Sequence, residues 1–434
     1  MNKAMNLLII GGGATGLASA YIAAKRGEKV TLLEASSKLG GLLSTFDIGG
    51  TKLECFYHHF FTHDAEINWL LKELNLSQDV RFVETKMGMY RYGNIHPFTT
   101  TKDLLQFPKL SLLDKIRFGL TSLFLSKQRK WQKYENISAL EWFYKWAGRR
   151  VTNTIWYPML EIKFGEYAAK IPLAWMIGRM TQRLKSRSKG KEKLGYLKGS
   201  LQRLVDALEV KLREKKVIIF KNTPVTELLF ENDRVIGVKT PQGEFRADKI
   251  LVTIPTIYLA KLIPSKFSNY RKQLEKIEYF GAICVVVVTE KPLSNIYWLN
   301  VGDPGFDFGG VIEQTNFLSS KEYQGLHVTY LSRYATWREP ILSKSDPEII
   351  SLFKKQLQSI YPDLETKGIK DIQVFRTKTA ATVCDKNFSD KIPAYKTPIP
   401  NLYIASMAHV YPDERSVNNS IKVALNADAV LQIS

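Results

Sequence analysis

Asn6-Leu7-Leu8-Ile9-Ile10-Gly11-Gly12-Gly13-Ala14-Thr15-Gly16 is the stretch that decides how the rest of the chain is read. Asn6 to Ile10 has the character of a short buried strand, and it runs straight into G-x-G-x-x-G at Gly11, Gly13 and Gly16. Leu17, Ala18, Ala20, Tyr21, Ala23 and Ala24 then supply the small and apolar faces of a helix, Gly27 ends it, and Lys29 to Leu33 returns as a second strand. In such a β-α-β unit the first glycine makes a tight turn and the second lets backbone approach a pyrophosphate. The third allows close helix–strand packing, and the helix start at Ala14 and Thr15 faces the phosphates. Glu34 closes the second strand 23 positions after Gly11, with Ala35 beside it. A carboxylate there accepts hydrogen bonds from ribose hydroxyls and disfavours a 2′-phosphate. A glycine-rich turn alone would carry little weight; strand, glycines, helix, strand and acid together read as a dinucleotide site. They do not choose between FAD and NAD.

Working outward, 434 residues exceed the roughly 250–300 that one core usually serves, so two domains around a shared cleft are expected. With 45% apolar and 24% charged residues the chain is globular. Cys55, Cys284 and Cys384 are far apart and odd in number, against a disulfide framework or a clustered metal site, and a reducing, cytoplasmic setting follows. The longest apolar run, Ala282 to Val288, is far below the ~18–20 residues that span a bilayer. No Ser-His-Asp order, metal-ligand spacing or P-loop is present, and no metal is expected.

Sixty-two basic against 42 acidic residues give a net charge of +20, an attractive field for anions. The charge is clustered. Between Arg179 and Lys193 lie seven basic residues and one acid, Glu192, while Lys127, Arg129, Lys130 and Lys133 follow the apolar stretch Leu120 to Leu125. An anionic substrate or an anionic membrane surface would answer this; nucleic acid is not expected as a partner.

Lys38-Leu39-Gly40-Gly41-Leu42-Leu43-Ser44-Thr45 lies immediately beyond the ribose acid. This glycine pair resembles the second flavin motif of the flavin amine oxidase superfamily, which includes monoamine oxidases, protoporphyrinogen oxidase, phytoene desaturases and, more distantly, UDP-galactopyranose mutase. Many relatives carry arginine where this chain has Leu42, which removes one flavin or substrate contact. Glu54-Cys55-Phe56-Tyr57-His58-His59-Phe60-Phe61 resembles the segment beside the isoalloxazine, which makes His58 and His59 the candidate catalytic residues, as modulators of flavin charge or as substrate contacts. The competing reading is a partly buried histidine bonded to backbone.

Trp156 to Leu160 and Lys163-Phe164-Gly165 resemble bacterial protoporphyrinogen-oxidase-like proteins. Gly195 to Gln202 resembles the point where the chain re-enters the FAD domain, and Val225 matches the position whose backbone reads the adenine in relatives. Near the C-terminus, Ser406-Met407 stands where many relatives have a glycine and an acid for the ribityl chain. In relatives the following helix, here expected to start near Val417 and Asn418, brings its positive end to the flavin pyrimidine.

The resemblance implies an α/β chain: a Rossmann-like FAD-binding domain from residues 1–85, 195–265 and 385–434, plus a mixed helical and β-sheet substrate domain from 86–194 and 266–384. Its helical part is a candidate membrane-facing lobe. Trp298, Glu313, Asn316 and Tyr330 are candidates to line its cleft. The activity implied is FAD-dependent dehydrogenation of a small or lipid-like substrate by hydride transfer to flavin. The rivals are a redox-neutral mutase working from reduced flavin and a non-catalytic flavin binder associated with membranes.

Overall fold

The computed structural model describes residues 5–188 and 191–433. Lys189, one of the clustered basic residues, lies outside them. A five-stranded parallel sheet is assembled from distant parts of the chain, in the order Ile218–Phe220, Lys29–Leu33, Asn6–Ile10, Lys249–Val252, Leu402–Ile404. Asn6–Ile10 lies at its centre, and Leu7, Leu8 and Ile9 are almost wholly buried, as a strand covered on both faces must be. Helices Ala14–Lys25, Gln202–Glu214 and Val417–Ile433 share one apolar core with this sheet.

Gly16 decides how closely the first helix sits on the first strand. A Cβ there would stand 1.9 Å from the carbonyl oxygen of Gly11 and 2.8 Å from Thr253 Oγ1. Only hydrogen fits.

The other large sheet has seven strands, in the order Ile369–Thr382, Tyr279–Thr289, His327–Thr336, Gly310–Glu313, Trp298–Val301, Met87–Arg91, Asn94–Pro97. Tyr279–Thr289 is buried along its whole length, which explains the apolar run Ala282 to Val288. Cys284, Val286 and Val288 face one cluster, with Phe46, Leu53 and Tyr330, and Ile283, Val285 and Val287 face another. The second face is covered by a helix, Asp346–Ile360, which contributes Ile349, Phe353 and Leu357. The second part of the expected substrate domain, residues 266–384, thus contains a full helix among its strands. Its signal was local: Ser345 and Glu348 form a capping box, and Pro347 occupies the first turn.

Beside the seven-stranded sheet, helices Leu112–Lys127, Ala139–Trp146, Tyr157–Phe164 and Leu173–Lys185 surround an aromatic-rich core with Phe143 and Trp156 stacked 4.2 Å apart. The stretch Leu120 to Leu125 belongs to the first of these helices. Only part of it is core: Leu125 is buried, whereas Leu120 and Leu123 are 61% and 47% exposed.

Gly16→Ala should force helix and strand apart and cost at least ~2 kcal/mol of stability, the scale of an overpacked core site. A thermal midpoint equal to wild type's would contradict the close approach.

Candidate functional site

Two glycine turns meet at the C-terminal ends of the parallel strands. The Gly40 amide donates to the Gly12 carbonyl at 2.8 Å, and Gly13 and Gly40 form a parallel bridge. A Cβ on Gly41 would lie 3.2 Å from the Gly13 Cα. Together they wall a cavity of about 470 Å³. Of the residues singled out in the sequence, Gly11, Gly13, Ala14, Thr15, Glu34, Gly40, Gly41, Leu42, Met407 and Val417 line it, and so does His58. The helix Val417–Ile433 begins at its wall, with Ser416, Val417 and Ser420 in the lining.

Whether an extended dinucleotide fits can be tested at Gly13. Its backbone has φ −74°, open to any residue, and a Cβ there would meet no protein atom within 4 Å. No protein neighbour requires this glycine, and the space it leaves open is cavity. Glu34 is ready at the same place: its carboxylate accepts from the Gly12 amide at 2.6 Å and from the Ser36 amide at 2.8 Å. Those bonds hold it at the wall with lone pairs to spare for hydroxyl donors.

Other expected contacts lie elsewhere. Gly16 packs on the Gly11 carbonyl instead of lining the cavity. Ala35 is exposed at the end of its strand, and Val225 packs against the core of Leu228, Val235 and Val238; neither lines the cavity. Ser406 is buried and its amide donates to His409 Nδ1, so the capping turn consumes it. The Asn418 side chain turns away and accepts from the Ile67 amide at 2.9 Å, tying the terminal helix to Ala65–Glu73.

A second pocket, of about 130 Å³, adjoins the first across His58, Arg415 and Ser416, which line both. The segment carrying His58 is fastened at its start. The Glu54 carboxylate accepts from the Tyr196 hydroxyl and, at 2.5 Å, from the Leu201 amide, while the Glu54 carbonyl accepts from Tyr330 at 2.7 Å. Burial first, and the neighbouring Arg415 second, lower the His58 pKa to about 3. Its Nδ1 lies 2.5 Å from the Phe56 carbonyl and its Nε2 lies 3.5 Å from an Arg415 guanidinium nitrogen. A neutral ring that donates from Nδ1 and accepts at Nε2 satisfies both. His59, brought to about 4 by burial and then by Arg183, faces the second pocket with Nδ1 3.2 Å from the Tyr297 hydroxyl. Neither histidine carries charge near neutrality.

The sequence singled out Arg179, Arg183 and Glu192 as parts of one basic cluster and Lys163 as part of a family resemblance, but gave no sign that they converge on Glu414. Lys163 and Arg179 both pair with Glu414, whose carboxyl is held far below its ordinary range: burial opposes this, but the two cations outweigh it. Arg183 pairs with Glu192 at 3.0 Å. Arg415 forms a hydrogen bond with Tyr334; burial raises that phenol, but Arg415 and Lys163 together bring it below the usual value. Tyr57 and Trp298 pack edge to face at 4.9 Å on the opposite wall.

Among the cleft candidates only Trp298 reaches the pocket. Glu313 is buried with Ser294 and Leu293, Asn316 is bonded to the Ser294 and Ile296 carbonyls, and Tyr330 is buried beneath. Tyr330, Ser332 and Tyr334 share one strand face, and Ser332 and Tyr334 are the two that open into the pocket. Arg179 and Arg183 carried a usable signal as well: they stand four apart on one helix, Leu173–Lys185, and so point the same way.

Comparison with known proteins extends this geometry over the chain. The model of the family described as flavin-containing amine oxidoreductase matches residues 14–413. The 15-cis-phytoene desaturase of Arabidopsis thaliana is 21% identical over 445 residues, covering 93% of this chain and 75% of that protein. Coproporphyrinogen III oxidase of Staphylococcus aureus is 25% identical over 335 residues, covering 67% and 69%. The crystal structure of an oxidoreductase from Methanosarcina mazei superposes with a TM-score of 0.76 at 20% identity, over 99% of this chain and all of that one, a likeness of fold.

Two results are expected. Gly13→Val should fold and purify colourless, since a Cβ there meets no protein atom within 4 Å and the side chain takes up cavity space; full flavin content would contradict the assignment. Between pH 6.5 and about 3 the unfolded chain takes up a proton at His58 that the native chain refuses. Acid therefore favours unfolding by about 1.4 kcal/mol per pH unit for this group. His58→Asn, which keeps a donor and an acceptor, should lose about 2 kcal/mol less unfolding free energy than wild type from pH 7 to pH 5. Equal losses would contradict a buried neutral ring.

Proposed function

This chain belongs to the flavin-containing amine oxidoreductase family and is an FAD-dependent oxidoreductase, and from that premise we propose that it dehydrogenates a small or lipid-like organic substrate held in the pocket between His58 and Arg183. The observation that carries this is the shared wall: His58, Arg415 and Ser416 border both the cofactor cavity and the second pocket, so a molecule in one touches the same side chains as a molecule in the other. FAD, when bound, supplies the acceptor for the hydride.

The chain's own part is positioning, charge and proton handling. Arg415 and the positive end of the Val417–Ile433 helix converge on one stretch of cavity wall and stabilise negative charge there. His58, neutral and bonded on both nitrogens, orients Arg415 and contributes no proton. Tyr334, whose phenol burial raises but Arg415 and Lys163 together bring below its usual value, is the group in the pocket suited to handle the substrate's proton. Tyr57, Trp298 and Trp175 exclude water around it.

The relatives named 15-cis-phytoene desaturase and coproporphyrinogen III oxidase are named for desaturation and oxidation, and that supports dehydrogenation over a redox-neutral rearrangement. Anaerobic addition of the true substrate should bleach the oxidised enzyme. Tyr334→Phe should keep its flavin and slow bleaching by roughly a hundred- to ten-thousandfold, the usual weight of one proton-transfer group, with smaller effects in His58→Ala and His59→Ala. Turnover seen only after dithionite reduction would point to the mutase instead, and undiminished bleaching in Tyr334→Phe would remove that residue's role.

We also propose that the protein docks on anionic membrane surfaces from the cytoplasmic side. No described helix is long and apolar enough to cross a membrane. Helix Leu112–Lys127 nevertheless exposes Leu112, Leu113, Ile116, Leu120, Leu123 and Phe124 at three- and four-residue spacing, and Lys127, Arg129, Lys130 and Lys133 are exposed at its end. An apolar face beside a basic cluster supplies both signals that peripheral anchoring needs. Co-sedimentation with phosphatidylserine vesicles should fall with salt and with substitution of Lys127, Arg129 and Lys130; absence of binding at low salt would contradict it.

A further inference from the structure

The pocket beside the cofactor cavity is not a dead end. A channel of about 360 Å³ meets it, and Met159, Arg179, Arg183 and Asn300 line both. Beyond them the channel walls are mostly apolar, with Met87, Phe98, Phe118, Leu123, Trp156 and Met180, although Glu192, Arg187 and three threonines also reach it. Three spaces therefore stand in series. The cofactor cavity joins the aromatic pocket at His58 and Arg415, and the aromatic pocket joins the apolar channel at Arg179 and Arg183.

Charge is distributed unevenly along that series. Lys163, Arg179, Arg183 and Arg415 face the middle space or its ends, against the two carboxylates of Glu414 and Glu192. The carboxyl of Glu414 is ionised and shared by two cations, and both histidines are neutral. The middle space therefore holds an excess of positive charge inside walls that water reaches poorly, which favours an anion and repels a protonated amine.

Gly119 gives an independent sign that the channel is kept open. It lies inside helix Leu112–Lys127, where glycine costs about 1 kcal/mol relative to alanine, and it has no packing reason to be there: a Cβ would meet nothing within 4 Å. It lines the channel.

We infer that the substrate is an amphiphilic organic anion in three parts: an oxidisable portion in the aromatic pocket, a carboxylate or phosphate group at Lys163, Arg179 and Arg183, and an apolar body in the channel past Gly119. This rests on the dehydrogenase reading for the first part only. The second and third follow from charge and shape, and they run against the amine substrates that the family's description suggests.

The test uses FAD-loaded protein and four probes of one chain length below their micelle concentrations: dodecyl phosphate, dodecanoate, dodecanol and dodecylamine. Inorganic phosphate serves as the tail-less anion. Calorimetry reads binding without turnover, so it does not depend on the redox assignment; flavin content and photoreduction of the same samples test that assignment separately. At least tenfold tighter binding of dodecyl phosphate or dodecanoate than of dodecanol and dodecylamine is expected, with inorganic phosphate far weaker. Whichever head group binds tighter identifies it as phosphate or carboxylate. Lys163→Met leaves Arg179 paired one-to-one with Glu414 and should reduce the anion's advantage by roughly tenfold. Gly119→Phe fills the channel from a helix position that disfavours glycine. It should keep flavin and thermal stability yet abolish the contribution of the tail. Equal binding of amine and anion would overturn the charge assignment, and tail binding unchanged in Gly119→Phe would overturn the channel.

Discussion

The carbonyl oxygen of Gly11 marks the point where the first helix crosses the first strand. Thr253 Oγ1 donates to it at 3.0 Å, and a Cβ on Gly16 would stand 1.9 Å away. That one crossing sets the tilt of helix Ala14–Lys25 on strand Asn6–Ile10, and hence the direction in which its first amides point. It also draws in Thr253, from a strand some 240 residues later in the chain. Once it is fixed, the Gly40-Gly41 turn can close against Gly13 and the cavity has a backbone wall that no side chain obstructs. The terminal helix then adds its positive end to the same cavity.

From that wall the electrostatics run in one direction. Buried ions are costly unless paired, yet Lys163, Arg179, Arg183 and Arg415 gather where only Glu414 and Glu192 answer them. The two histidines do not relieve the imbalance. Burial keeps them neutral, so they serve as fixed polar struts between the cofactor cavity and the pocket. The cation excess is a standing cost that a bound anion, whether on the cofactor or on the substrate, would offset. This is the sense in which the site resembles a flavoenzyme cleft more than a structural core: a core would have balanced its charges.

The first sheet and the cofactor were legible because their signals are local. Period, glycine spacing and a terminal acid occur within some thirty residues, and each has a physical use in the finished structure. Ser406 and Asn418 were harder, since a helix start announces where amides point but not which neighbouring side chains its own residues will cap or tie. Asn418 is taken by Ile67, a partner 351 positions away. The basic cluster from Arg179 to Lys193 was legible and pointed to an anion, but the convergence of the pocket's charges was not, for the same reason. Lys163, Arg179 and Glu414 look like ordinary surface charges until three separated segments bring them together, and only the four-residue spacing of Arg179 and Arg183 hinted at a common face. The strand face Tyr330, Ser332, Tyr334 illustrates the limit: alternation showed which residues travel together, but not where along the strand burial gives way to pocket.

The central claim is that one continuous cavity seats FAD with its reactive ring at the wall of His58, Arg415 and Ser416 and its adenosine end toward Glu34. A crystal structure of the FAD-bound protein tests it most directly. The account predicts the pyrophosphate against Gly13 and Ala14, a ribose within hydrogen-bonding distance of Glu34, and the isoalloxazine between Arg415 and the aromatic pocket. A flavin bound in the opposite direction, with its ring at Glu34, or bound outside this cavity altogether, would contradict it.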